Sequence, residues 1–312
     1  MVMLKAGHCE RNWGENMYLT GFADEAANDI AGQIRATRAL GWSRIEARNV
    51  DGRNLHDLPD AAFDAVCGAL QAAGVSVNCF GSAIANWGKK IDEPFDSSLA
   101  EARRAIPRMQ RLGTKLIRIM SFAVREGEDQ MEAERFRRLR ELQRMFTDAG
   151  LTPVHENCMN YGGMSARHTL RMLEEVPGLK LVFDTGNPVF SDDRSQASPF
   201  PKQSAWAFYE RVRDHVVYVH IKDGRWDVSG KSVFTFPGEG DGDVRRIVAD
   251  LLRRGYDGGF SIEPHLAVVH HDPTITSPDA IRFANYVEYG RRMMALLDEA
   301  RAACGGPRKG AA

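Results

Sequence analysis

The sequence lacks the features that would commit it to a membrane, a nucleic acid or an oxidising compartment. Its five cysteines are an odd number and contain no CxxC pair (Cys9, Cys67, Cys79, Cys158 and Cys304). That speaks against a disulfide framework or a cysteine zinc motif, and a reduced, cytoplasmic setting is expected. No apolar run reaches the roughly 18 residues of a spanning helix, so no membrane partner is expected. Residues 1–16 hold Lys5, Glu10, Arg11 and Glu15 and no apolar stretch, which does not read as a signal peptide. The net charge is −1, which gives no basic surplus for nucleic acid. Neither GxGxxG nor GxxxxGK[ST] follows the first strand-like run, so the usual phosphate loop of a doubly wound sheet is missing.

What is present is regular. The chain has 312 residues and is 43% hydrophobic, enough for a sizeable core. Eight strand-like runs, at 18–24, 43–50, 75–84, 115–122, 152–157, 180–185, 216–222 and 260–263, alternate with amphipathic runs. The latter lie at 25–40, 60–73, 97–112, 132–149, 164–175, 204–213, 244–254 and 278–303. Gly41, Gly74, Gly113, Gly150, Gly178 and Gly255 each sit between a helical run and the next strand, where a helix C-terminus favours glycine. This pattern predicts an α/β fold, a (β/α)8 TIM barrel in a single domain over 18–304. Residues 1–17 are expected to be an N-terminal extension and residues 305–312 a disordered tail. The segments after strands six, seven and eight are long, and in a barrel they share the C-terminal face.

Four strand ends carry metal-binding side chains: Glu156 in HEN, Asp184 in FDTGN, His220 in VHIKD and Glu263 in SIEP. Alternation along the strands turns all four inward on adjacent strands, five to eight. Three carboxylates crowded together repel strongly unless neutralised, and a divalent cation resolves that repulsion. The mixed oxygen and nitrogen set suits Mn²⁺, Mg²⁺, Co²⁺ or Zn²⁺.

With FDTGN, VHIKD, GYDGGFSIE and the early GFADE, the chain resembles the xylose-isomerase-like TIM-barrel superfamily of sugar phosphate isomerases and epimerases. The likeness runs from Tyr18 to Ala303 and takes in ketose 3-epimerases and inosose dehydratase. It implies a metal-dependent enzyme, with Mn²⁺ first among the metals, held by Glu156, Asp184, His220 and Glu263. It assigns Glu156 and Glu263 the acid/base work as well. The reaction implied is epimerisation or isomerisation of a keto-sugar or cyclitol through a metal-stabilised enediolate. The alternative is a lyase that carries out β-elimination on an inosose or a 3-oxo-glycoside, C-glycosides included. One departure stands out. Those epimerases often carry His where this chain has Asn187, which can bind a hydroxyl but cannot take a proton.

Further residues follow from position. His265 shares the face of Glu263 and is the candidate for a separate base, ahead of His270 and His271. His155 neighbours a ligand with the opposite parity, and either packs outside the barrel or reaches over the rim to substrate. Lys222 shares the face of His220 and would bind a substrate oxygen or pair with a carboxylate. Arg118, with Glu46 and Arg48, is placed to line the barrel, and Asn187 and Trp87 to contact substrate. Trp226 and Phe236 lie on mouth loops, where rings stack on sugar faces or anchor lids. Cys158 shares the face of Glu156 but is a soft ligand beside hard carboxylates. The segment FPGEGDGD holds three acidic residues and reads as a tight turn with Asp243 as an N-cap, not as a phosphate cradle. The expected partner is a small-molecule sugar. Homo-oligomers are common among similar proteins, and a hetero-oligomer with a second small subunit is the other arrangement considered. A DNA-repair nuclease is disfavoured, because neither a basic groove nor its extra histidines are present. A non-catalytic sugar-binding subunit is a further alternative.

Overall fold

Eight short parallel strands carry the whole architecture. They are β1 (Tyr18–Gly21), β2 (Arg44–Ala47), β3 (Ser76–Phe80), β4 (Leu116–Ile119), β5 (Thr152–Glu156), β6 (Lys180–Asp184), β7 (Val216–Ile221) and β8 (Gly259–Ile262). The computed structural model describes residues 16–269, 272, 274 and 277–303. The predicted extension lies almost entirely outside these residues, as do the predicted tail, His270 and His271. Each strand pairs with its sequence neighbour, and β1 pairs with β8 from Tyr18 opposite Gly259 to Gly21 opposite Ile262. A parallel bridge from Phe22 to Glu46 joins β1 to β2 and closes the ring. The result is the predicted barrel in a single domain.

The helices cover the outside: α1 (Ile30–Ala39), α2 (Asp60–Ala73), α3 (Asp96–Leu112), α4 (Glu132–Asp148), α5 (Ala166–Glu175), α6 (Ala205–Val212), α7 (Val244–Arg253) and α8 (Asp279–Ala303). Asp29, Ser165 and Ser204 cap α1, α5 and α6, each accepting a bond from the backbone N–H three residues on. All six glycines at helix ends take positive φ, which spares the Cβ clash that another residue would meet there. The first helix starts later than its periodicity suggests. Residues Ala23–Glu25 form a separate 3₁₀ turn, which leaves Asp24 and Glu25 at the barrel mouth.

Two cores result. The larger one fills the space between strands and helices. A small one, of Cys79, Val154, Val182 and Tyr218, plugs the barrel interior. Above that plug the inward side chains become polar, and the chemistry begins there.

Some elements escaped the sequence reading, among them a short hairpin of Asn49–Val50 with Arg53–Asn54, the helix Asn187–Phe190 and a second hairpin. Gly224–Trp226 and Ser232–Phe234 form an antiparallel hairpin after β7. The following GEGDG segment wraps a buried carboxylate: Asp223 accepts N–H bonds from Gly224 (2.8 Å), Gly238 (2.8 Å), Gly240 (3.1 Å) and Gly242 (2.9 Å). The loop thus does cradle an anion, but an internal one. A Cβ at Gly240 would run into Asp223 and the Gly224 backbone. Asp243 does not cap α7; it sits at φ 51° with no side-chain cap bond.

Candidate active site

Glu156 ends β5, Asp184 ends β6, His220 lies near the end of β7 and Glu263 follows β8. All four are buried, and each offers a ligand atom within 4.8 Å of the others. His220 Nδ1 lies 3.0 Å from Glu156 Oε1, and Nε2 lies 3.2 Å from Glu46 Oε1. Glu46 sits where the β2–β3 register slips, which turns its carboxylate across the barrel. The chain of contacts continues downward. Tyr218 donates to Glu46 (2.7 Å), Asn78 to Tyr218 (2.8 Å) and Thr20 to Asn78 (2.8 Å). This is how a ligating histidine is held: a carboxylate on one ring nitrogen aims the other.

Each glutamate has its own arginine. Arg118 Nη1 donates to Glu156 Oε2 at 2.9 Å, and Arg48 Nη1 to Glu263 Oε1 at 2.9 Å. Both guanidinium groups sit over the Phe22 ring, at 5.1 and 4.3 Å, and His220 meets the same ring edge-on at 5.0 Å. Arg48 also grips Asp24 at 2.9 Å. Lys222 Nζ lies 3.0 Å from Glu263 Oε2 and 3.1 Å from Asp184 Oδ2.

These charges tune one another. Burial alone would raise Glu156, but Arg118 and then His220 outweigh it and hold the carboxyl at about 2. Burial is likewise overcome at Glu263, which Lys222, His265 and Arg48 keep well below the carboxylate range. Asp184 goes the other way: burial, with Glu263 and Glu156 adding to it against Lys222, raises it to about 7. Burial opposes charge on His220, yet Glu46 and Glu156 lift the ring to about 10.

The residues present fit a divalent cation. Asp184 Oδ1 accepts from the Gly186 and Asn187 amides (2.9 and 2.6 Å). Its Oδ2 is buried and accepts no hydrogen bond, since the nearby Lys222 ammonium is a charge partner outside hydrogen-bonding geometry. That oxygen, whose charge partner is Lys222, makes with two glutamates and an oriented imidazole a hard, mixed donor set.

The other predicted residues divide. Arg118, Asn187, Lys222, His265 and Trp87 line one cavity of about 420 Å³ together with Glu156 and Glu263. Asn187 Nδ2 is 3.5 Å from Glu156 Oε1. His265, at φ 53°, is clamped by Glu25, which accepts from its backbone N–H (2.8 Å) and lies 2.9 Å from Nδ1. His155, expected as a candidate substrate contact, points away from the barrel mouth. Its ring is packed behind the strand against Gly162, with Nε2 2.9 Å from Ser121 Oγ, and burial lowers it to about 4. It does not line the cavity. Cys158 does line it, but burial pushes its thiol to about 12, which disfavours a thiolate ligand.

Residues 34–285 match the description of a xylose isomerase-like TIM barrel. The chain belongs to this family. Among curated relatives of this xylose isomerase-like barrel is an inosose dehydratase of Geobacillus thermodenitrificans, 28% identical over 156 residues. That match takes in 45% of this chain, and the chain spans about half the length of the relative, 47%. Among solved structures, a xylose isomerase-like TIM barrel protein from Mycobacterium smegmatis in complex with magnesium superposes with a TM-score of 0.67 at 16% identity. The superposition covers 91% of this chain and 97% of that one. D-allulose 3-epimerase from Methylomonas sp. in complex with D-allulose gives a TM-score of 0.61 at 15% identity, over 92% and 98%. At these identities the likeness is one of fold.

Proposed function

We propose that the protein is a divalent-metal-dependent epimerase or isomerase of a keto-sugar or cyclitol. The observation that carries this reading is the pair Glu156 and Glu263. They line one cavity, each is anchored by its own arginine, and both contribute to the four-residue donor set. Glu156, Asp184, His220 and Glu263 would hold the cation, which when bound supplies the Lewis acidity that makes a C–H beside a ketone acidic.

The protein's own groups do the rest. Arg118 and His220 keep Glu156 ionised at neutral pH, and Lys222, His265 and Arg48 keep Glu263 so, which leaves both in the form that can accept a proton while weakening their basicity. One glutamate takes the proton from the carbon next to the ketone, and the other handles the proton on the opposite face. Lys222 Nζ, 3.0 Å from Glu263, is a buried donor for a substrate oxygen or for Glu263 itself. Asn187, beside Glu156, orients a hydroxyl without competing for the proton. Mn²⁺ is the metal we favour, because the donor set is mainly carboxylate with one imidazole.

A second reading is β-elimination. It is favoured by the inosose dehydratase relative and by His265, which lines the same cavity with Nε2 3.8 Å from Glu263 Oε1 and is the candidate acid for a leaving group. Incubation with Mn²⁺ and a panel of ketoses, inososes and 3-oxo-glucosides in D₂O separates the two by NMR. Deuterium entering beside the carbonyl with retention of carbon skeleton and substituents supports epimerisation, and loss of water or aglycone supports the lyase. No exchange and no elimination across the panel would overturn both.

A further inference from the structure

Away from the barrel mouth, one buried histidine has no part in the proton-transfer reading. His56 lies in the 3₁₀ turn Leu55–Asp57, which follows Asn54 and packs against α3. Arginines of α3 hold that turn. Arg108 donates to the Leu55 carbonyl at 3.0 Å and to the Leu58 carbonyl at 2.6 Å, and Arg104 Nε donates to Asp57 Oδ1 at 3.0 Å. The His56 ring is fully buried, yet neither of its nitrogens makes a hydrogen bond among the described residues. A neutral imidazole has one N–H to donate and one lone pair to share, and folded chains seldom bury both unmet. Glu101 of α3 brings a further such atom. Its Oε2 is buried and accepts no hydrogen bond, with Lys89 Nζ at 2.9 Å a charge partner outside hydrogen-bonding geometry.

These atoms converge. His56 Nε2 lies 3.5 Å from Asp57 Oδ2, while Arg104 takes the other oxygen of that carboxylate. His56, Asp57 and Glu101 each offer one ligand atom within 4.8 Å of the others. Burial holds the imidazole at about 4, against the pull of Asp57, so at neutral pH the ring is uncharged and has a lone pair to give.

We propose that His56, Asp57 and Glu101 form a second cation site, which takes Zn²⁺ and pins the Leu55–Asp57 turn to α3. One imidazole and two carboxylates are an ordinary zinc set, with water completing the tetrahedron through the partly exposed Asp57. The imidazole and the order of divalent affinities favour Zn²⁺ over Mn²⁺ here. Lys89 and Arg104, the present partners of the two carboxylates, are themselves partly exposed and can turn to solvent as the ion enters. The clip bears on the mouth from outside, because Asn54, next to the turn, lines the cavity. The site stands independently of the reaction proposed above.

The test is calorimetric titration of Zn²⁺ into the chelator-treated full chain, as wild type, His56→Gln and His220→Ala. Anomalous diffraction at the zinc edge, from crystals grown with the ion, locates what binds. The wild type is expected to take two ions per chain, His56→Gln to lose one and His220→Ala to lose the other. Should His56→Gln fail to fold, Asp57→Asn, at a partly exposed position, carries the same expectation. A single ion that His220→Ala abolishes and His56→Gln leaves untouched overturns the inference. So does no binding, or a water beside the His56 ring in place of a zinc peak. A single ion lost in His56→Gln and kept in His220→Ala supports this site and contradicts the donor set at the mouth instead.

Discussion

At the residue scale the proposed reaction divides between two carboxylates, Glu156 facing Arg118 and His220 and Glu263 facing Lys222, His265 and Arg48. Glu156→Gln or Glu263→Gln would remove a proposed base and a proposed metal ligand together, so solvent exchange is expected to fall by at least about 100-fold in either variant, measured by NMR. An isolated loss in only one of them would point to a single-base route through His265. Lys222 shares two oxygens with the donor set. Lys222→Met is expected to lower the melting temperature without metal, because Asp184 and Glu263 lose their buried partner. Mn²⁺ is then expected to raise it by more than in the wild type. His155 gives a pH signature. Its ring is held near 4 by burial, below the unfolded value of about 6.5, so the unfolded state takes up a proton first as pH falls. Stability from this residue is therefore present above about 6.5 and is lost as pH drops toward 4. A His155→Gln variant is expected to show a flatter fall of melting temperature across that window.

Elements, not residues, hold the mouth in shape. The Asp223 carboxylate gathers four glycine amides, and the hairpin that bears Trp226 and Phe234 hangs from it. Asp223→Ala leaves those buried donors without an acceptor, at about 1–3 kcal/mol for each one that water cannot reach. Faster hydrogen exchange confined to residues 224–242, with the barrel strands unchanged, is the expected result. Uniform destabilisation would show that the loop and barrel unfold as one unit. This loop also marks a limit of sequence reading. Strands and helices were legible from apolar period and from the glycines after each helix, because those are local properties. The hairpin was not, since its strands are three residues each. Asp243 looked like a cap but takes a left-handed backbone instead, because the glycine-rich turn before it is shaped by Asp223.

Across the whole molecule, ring closure brings together groups that no local pattern links. The inward placement of Glu156, Asp184, His220 and Glu263 could be read from strand parity alone. Glu46 meeting His220, or Arg48 meeting Glu263, could not, because each pair spans more than half the chain and meets only when β1, β2 and β8 close. Parity also left His155 open between the rim and the outside, and packing against Gly162 decides it. The anchoring of Asp24, Glu25 and Arg48 likewise depends on closure, with GFADE its only trace in the sequence. A barrel sealed by such a charged cluster is expected to gain stability from its cation, about 2.7 kcal/mol at a hundredfold excess over Kd, and to lose that gain with chelator. His220 must give up its proton to act as a ligand, so binding is expected to release a proton at neutral pH and to strengthen as pH rises toward 10. Calorimetric titration of Mn²⁺ into the chelator-treated protein, repeated in buffers of different ionisation enthalpy, tests this directly. One ion per chain with proton release, abolished in His220→Ala and weakened in Glu156→Gln, is the predicted result; no binding, or binding untouched by those substitutions, would contradict it.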